Sequence, residues 1–192
     1  MPSPIGHSLA GLCGFYLAYP QIPKTYRIPA LAAAIFVSNS PDLDILAGLI
    51  LHQDPSILHR QGSHSFLVAI VIGCLTVLLT RILGLKEWNW LGIWLTGLYS
   101  SHIFLDMLVA DGAIPYGLQA FWPLSSDYFM SPLAIFNGLD YNRPGLNMLQ
   151  SMMTFNNLIA ALKELAILAP SAWLTWGFGL KAYKQARLQS PQ

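Results

Sequence analysis

The chain has 192 residues and a formal net charge of +1; 54% of its residues are hydrophobic and only 10% are charged, with a mean hydropathy of +0.49. Soluble domains carry about a quarter charged residues, so this composition points to a membrane and excludes the basic face that nucleic-acid binding requires. The length suits a single membrane-embedded domain over residues 1–192.

Five apolar segments follow one another. Before the first, Met1 to His7 lacks the basic n-region of a cleavable signal peptide, so the reading is mature sequence. The first segment, Ile5 to Tyr19, is shorter than the roughly 20 residues of a perpendicular span. The second, Ile28 to Leu51, is interrupted by Ser38-Asn39-Ser40-Pro41, where a Ser cap before proline predicts two helices in series. The third, Ser65 to Thr80, carries no charge, and the fourth runs from Leu91 to Ala110. The fifth, Leu165 to Leu180, is uncharged but contains Pro170 and two glycines. Between the fourth and fifth lies Asp111 to Asn157, rich in Pro, Gly, Asn and aromatics, and a loop of that length is usually functional or flexible. Cys13 and Cys74 lie in apolar segments without CxxC spacing and read as structural thiols. The expected fold is all-α: an integral membrane helical domain of about four to five membrane-associated helices.

The basic residues orient these segments. Lys24 and Arg27, then Arg81 and Lys86, then Lys181, Lys184 and Arg187 fall on one side if five segments cross. The positive-inside rule makes that side cytoplasmic. The other, external side then receives the N-terminus, the Leu51–His64 connection and the Asp111–Asn157 region.

Ion-ligand residue types gather on that external side. His102 and Asp106 stand four apart inside an apolar run, so both fall on one helix face, where polar groups are costly unless paired or coordinated. His7 opens the first segment, Asp42 and Asp44 follow Pro41, and His59, Arg60 and His64 precede the third segment. Four of the five histidines take part; His52, near Asp54, reads as a solvated loop residue. Each group also has a plainer explanation. His102 and Asp106 can form a buried hydrogen bond, Asp42 and Asp44 can stabilise a helix N-terminus, Arg60 can hold lipid headgroups, and His7 can be interfacial. The aromatics around Phe121 and Trp122 fit an interfacial belt.

In this order, Gly6-His7, Pro41-Asp42-Leu43-Asp44, His59-Arg60-x-x-Ser63-His64-Ser65, Ser101-His102-x-x-x-Asp106 and Tyr116-Gly117-x-Gln119-x-x-Trp122-Pro123-Leu124-Ser125 resemble the YdjM-like family. Its members are bacterial inner-membrane proteins described as metal-dependent hydrolases, with a LexA-related name. The resemblance covers roughly Ile5 to Ser125, with Asp111 to Pro115 as an apparent insertion, and no motif is placed in the C-terminal third. The family is in turn similar to the zinc-dependent phospholipase C and P1-nuclease group, which implies a helical core of that kind. By that similarity, Asp42 or Asp44, one of His59 and His64, His102 and Asp106 hold one metal, while His7 and a bridging carboxylate, Asp106, contribute to a second. No histidine follows His102, so the third zinc site of that group has no counterpart.

His7, Asp42, Asp44, His59, His64, His102 and Asp106 are more ligands than one tetrahedral catalytic ion takes, which favours two ions. Mixed imidazole and carboxylate ligation suits zinc, with manganese or iron as alternatives. Arg60 is expected to neutralise a phosphoryl oxygen, and Asp44 to act as general base. The expected function is a membrane-bound metal-dependent hydrolase acting on a phosphoester of a lipid or lipid-linked substrate that arrives from the bilayer. The expected place is the bacterial inner membrane, with the site toward its external face. The alternative is a non-catalytic membrane protein with a structural metal site or a stress-related interaction role. Nothing in the sequence fixes the oligomeric state.

Overall fold

Local residues set where each apolar segment starts and stops. In the computed structural model, which describes residues 2–110, 115–140, 143 and 145–189, α1 (Pro4–Ala18) begins at Ser3, whose hydroxyl accepts from the N–H groups of Ile5 and Gly6. Pro4 is tolerated at the first helical position because its missing N–H would be unpaired there. α2 (Arg27–Asn39) and α3 (Leu43–His52) are separated by a tight 3₁₀ turn, Ser40–Asp42. The break has a local cause. Ser38 Oγ and Asn39 Nδ2 donate to Ile35 O, and Ser40 Oγ donates to Val37 O, so side chains compete with the backbone ladder. Pro41 then removes a donor. α4 (Phe66–Ile82) is capped by Ser65, whose hydroxyl accepts from Val68 N, and α5 is Trp90–Met107.

The chain is thus mostly helical, with one small addition. β1 (Val109–Ala110) and β2 (Phe136–Asn137) pair in parallel. Their segment serves the end of α5: Ser131 N donates to Met107 O, and both Ile135 N and Phe136 N donate to Leu108 O. Carbonyls at a helix end have no partner within the helix and need one where water is scarce. Asp111 to Ile114 of the apparent insertion lie outside the described residues.

α6 (Met148–Met152) leads into α7 (Phe155–Gln189), a 35-residue helix with Pro170 inside it. α7 begins ten residues before the expected Leu165, because Lys163 and Glu164 end the apolar run in sequence without ending the helix. Glu164 is fully buried, and its carboxylate accepts from Ser3 N at 2.7 Å and from Ser3 Oγ. It therefore seats α7 on the first turn of α1.

α1 is the central helix and packs on α7, α2 and α5. Its core contacts run through Phe15, Ala18, Ala34 and Leu98. Against α7 it is parallel, since Gly6 neighbours Glu164 and Tyr16 neighbours Gly179. Against α5 it is antiparallel, with Trp94 Nε1 donating to Gly14 O at 2.9 Å. α4 and α5 cross with backbones in contact: a Cβ on Gly73 would collide with Thr96 Oγ1 and lie 2.7 Å from Gly92 O. Small residues allow such close approach, which is how helices associate in lipid.

This arrangement separates two ends. Arg27 lies over the rings of Tyr19 and Tyr183, at 4.0 and 4.5 Å, and Tyr26 meets Trp88 edge-on, so the basic connections gather at one end. His7 and the C-terminal turns of α5 lie at the other. Two helical stretches, Lys24–His52 and Phe155–Leu188, are long and apolar enough to cross a membrane; Phe66–Ile82 is a shorter apolar helix.

Candidate metal centre

Four ligand atoms from three separate parts of the chain face one point. They are Asp42 Oδ1 from the α2–α3 turn, His64 Nε2 from a 3₁₀ turn before α4 (Gly62–His64), and His102 Nε2 and Asp106 Oδ2 from α5. His64 Nε2 lies 3.2 Å from His102 Nε2, 3.5 Å from Asp42 Oδ1 and 3.3 Å from Asp106 Oδ2. His102 Nε2 lies 3.4 Å from each of those two oxygens. A tetrahedral zinc site with bonds of about 2.0–2.1 Å has ligand-to-ligand edges of about 3.3–3.4 Å. The observed separations match those edges closely.

The orientation of each imidazole is fixed from behind. His102 Nδ1–H donates to Ser38 O at 2.8 Å, which leaves its Nε2 lone pair pointing at the cluster. His64 Nδ1 lies 3.1 Å from Asp44 Oδ2 and 3.1 Å from Ser63 Oγ, which turns its own Nε2 to the same point. Hydrogen bonding of one ring nitrogen to a carbonyl or carboxylate is the usual way a metal-binding histidine is aimed. Ser63 is itself positioned, since its hydroxyl donates to Asp44 Oδ2 at 2.6 Å and its carbonyl accepts from Tyr99 Oη at 2.7 Å.

Asp106 serves two directions. Oδ2 faces His64 and His102, while Oδ1 lies 3.5 Å from His7 Nε2. The His7 ring stacks on His102 at 3.7 Å between centroids. His7, His64 and His102 are wholly buried, and the side chain of Asp106 has no exposed surface. Among the described residues no hydrogen bond reaches either nitrogen of His7, Asp42 Oδ1, or either oxygen of Asp106. A buried carboxylate in that condition costs several kcal/mol unless a positive charge neutralises it. A divalent cation would meet that requirement, with Asp42, His64, His102 and Asp106 able to hold it.

Asp44 and His59 form the layer behind. His59 Nδ1 is 3.0 Å from Asp44 Oδ1 and 3.9 Å from Asp42 Oδ1. With His64 Nδ1 they make a second group of three ligand-type side chains that shares His64 with the first. Burial lowers the His59 pKa, and its contact with Asp44 only partly opposes this. Burial acts the same way on His64, but Asp106, Asp42 and Asp44 outweigh it and raise that ring well above the ordinary histidine value. A proton on His64 therefore serves as a counter-charge within the cluster, and a cation bound there would have to displace it.

The other sequence candidates are placed around this centre. Arg60 follows His59 in a left-handed conformation, φ 65°, and its carbonyl accepts from Gln119 N at 3.0 Å. That bond ties the Tyr116–Ser125 motif to the histidine loop, and the Trp122 ring lies 3.1 Å from where a Cβ on Gly62 would be. His52 ends α3 in an exposed position apart from the cluster. Tyr99, Ser3 and Glu164 are supporting residues that sequence reasoning passes over, while Ser38 and Ser63 enter it only as part of a helix break and of a motif. Of these only Glu164 had a visible signal, an acid inside an apolar helix.

A family model for the YdjM inner membrane protein matches residues 1–185. The chain belongs to that family. The match runs beyond the motifs that end at Ser125 and takes in most of α7, so the YdjM family includes the helix that carries Glu164. Membership makes this an inner-membrane protein, in agreement with its two apolar helical stretches of membrane length. No curated protein and no solved structure matched the chain.

Proposed function

We propose that this protein is a membrane-bound metal-dependent hydrolase acting on a phosphoester of a lipid or lipid-linked substrate. The observation that carries the reading is the meeting of His64 Nε2 and His102 Nε2 at 3.2 Å with carboxylate oxygens beside them. Both Nδ1 atoms are engaged elsewhere, so the two Nε2 atoms repel unless a proton or a metal cation lies between them. Asp42, His64, His102 and Asp106 would hold the first ion; His7 and Asp106 Oδ1 would contribute to a second. Zinc suits this donor set, with manganese or iron as alternatives. Bound there, such an ion polarises a phosphoryl oxygen and makes water acidic enough to ionise near neutral pH.

The protein's own groups divide the remaining work. Both oxygens of Asp44 are engaged by His59, His64 and Ser63, which suits a residue that aims His64 better than a free general base. Arg60, which follows His59 and whose backbone carbonyl is held by Gln119 N, would supply positive charge toward a phosphate. The reaction class comes by analogy from the similarity to zinc-dependent phosphoesterases, and the lipid class from the bilayer around the site. We place the site at the external face, since the basic connections lie at the far end of the bundle, and we take α1, α4 and α5 to accompany the two long stretches into the membrane.

A second reading has its own support. Four protein ligands at one point resemble a closed structural zinc site, whereas a catalytic ion keeps an open position. The position beside His7 and Asp106 Oδ1 is what separates the two readings, because an ion held there by those two side chains would keep coordination places for water and substrate. Metal analysis of the purified full chain tests the centre; one to two ions per chain are expected. Hydrolysis of lipid phosphoesters in liposomes, abolished by chelator and restored by a divalent ion, tests the activity. Metal that is present without chelator-sensitive turnover on soluble or lipid phosphoesters establishes the structural reading. Protein purified without chelator and carrying no metal overturns both.

A further inference from the structure

A lateral groove of about 370 Å³ lies between α1, α5 and α7, within the roughly 300–1,000 Å³ of ligand pockets. Ala10, Gly14 and Leu17 line it from α1, and Ile93, Gly97 and Ser101 from α5. We infer that this groove holds one hydrocarbon chain of a membrane lipid whose phosphate end lies at the His/Asp cluster. The chain's place stands on the groove alone; the placing of the phosphate rests on the hydrolase reading.

Its chemistry selects the occupant. The strong donors along its walls are already committed, since Trp94 Nε1 donates to Gly14 O and Ser101 Oγ donates to Leu98 O, and the free thiol of Cys13 is only weakly polar. The occupant is therefore offered apolar surface and no fixed hydrogen-bond partner. Leu17 and Ile93 are 62% and 80% exposed, so in an inner-membrane protein the groove is open to lipid, and lipid chains are the solvent that fills it.

Its direction selects the orientation. Ala10 lies one helical turn from His7, and Ser101 precedes His102. From His7 to Leu17 α1 advances ten residues, about 15 Å at about 1.5 Å per residue. The groove thus leaves the cluster's end of the bundle and runs toward the basic end, as a lipid tail runs inward from its headgroup. A second groove of about 450 Å³ between α4 and α5 ends at Arg81, on the basic side, and does not lead from the cluster.

Gly97 provides the test. A Cβ placed there meets nothing within 4 Å, so Gly97→Leu enters the groove with its first carbon unobstructed and adds a good helix former. The full chain, reconstituted in liposomes, is irradiated with phosphatidic acid bearing a mid-chain diazirine, and labelled peptides are mapped. Labelling concentrated in residues 10–17 and 93–101, and lost in Gly97→Leu but retained in Gly97→Ala with metal content unchanged in both, is the expected result. Uniform labelling of all lipid-facing helices, or labelling that Gly97→Leu leaves unchanged, overturns the groove. A diazirine fatty acid without phosphate is the parallel arm; equal labelling by it keeps the chain site and overturns the placing of the phosphate. Concentrated labelling without turnover leaves the groove standing while the hydrolase reading fails.

Discussion

The two ends of the bundle are held by opposite strategies. At the basic end one cation, Arg27, lies over the Tyr19 and Tyr183 rings, a contact worth about 0.5–2 kcal/mol that meets its charge with ring faces, while among the described residues its Nε and Nη2 have no hydrogen-bond partner. At the other end Asp42, Asp106, His7, His64 and His102 are brought together with their ligand atoms aimed at one another. That end gathers carboxylates and imidazoles whose charge is met by a proton on His64 or, on the reading proposed above, by a bound cation. The same helices, α1 and α2, serve both, so the contrast shows which part of the molecule is scaffold and which is site.

The sharpest way to break this contrast is to remove Asp106. Asp106→Ala should lose essentially all bound metal by elemental analysis, and His102→Ala should lose most of it, while Arg27→Met should retain the wild-type content. Metal loss in Arg27→Met equal to that in Asp106→Ala would show that the two ends are not separable.

Acidity distinguishes the metal-loaded and stripped forms. His64 is raised above its unfolded value, so in stripped protein it contributes stability that is full below about pH 6.5 and fades as pH rises through the folded value. In loaded protein the ion replaces that proton, so affinity should weaken by about tenfold per pH unit on acidification for each proton displaced. Thermal melts of both forms across pH should slope in opposite directions; parallel slopes would remove the cation from the account.

Glu164 tests whether the scaffold reaches the site. Glu164→Gln leaves Ser3 with one acceptor fewer and should cost about 1–3 kcal/mol, read as a lower melting temperature. Because Ser3 caps the helix that carries His7, some loss of the second ion should accompany it. The smallest effect concerns Arg27→Met, a loss of about 0.5–2 kcal/mol with no change in metal. Cysteines at Gln53 and Ser126 should label from outside and one at Gln189 from the cytoplasm. Ser126 and Gln189 labelling from one side would reverse the assignment of the ends.

The sequence shows what is local and hides what is not. The break after Ser38 is readable because serines and Pro41 act within a turn of themselves, and the pairing of His102 with Asp106 is readable from helical spacing. Residue types alone also place the histidines on one side. What they cannot give is which nitrogen points where: His64 shows Nδ1 to Asp44 and Nε2 to His102, a division set by three elements at once. Glu164 finds its partner 161 residues away, so no neighbouring residue announces it, and the apolar run seems to start just after it only because charge was counted without its partner. The strands at Val109 and Phe136 arise from carbonyls at the end of α5 that no hydrophobic pattern records.

The turn at Ser40–Asp42 has a consequence for how this chain can vary. Ser38 O, which aims His102, and Asp42, which faces it, are separated by four positions in which the helix tightens and restarts. One residue added or removed there would rotate everything that follows by about 100°, turning Asp42 toward lipid while leaving hydropathy almost unchanged. Apolar substitutions along α2 and α3 should be freely accepted, but gaps between Ser38 and Asp42 should not, so an alignment of working sequences would be length-invariant across this stretch even where its letters differ.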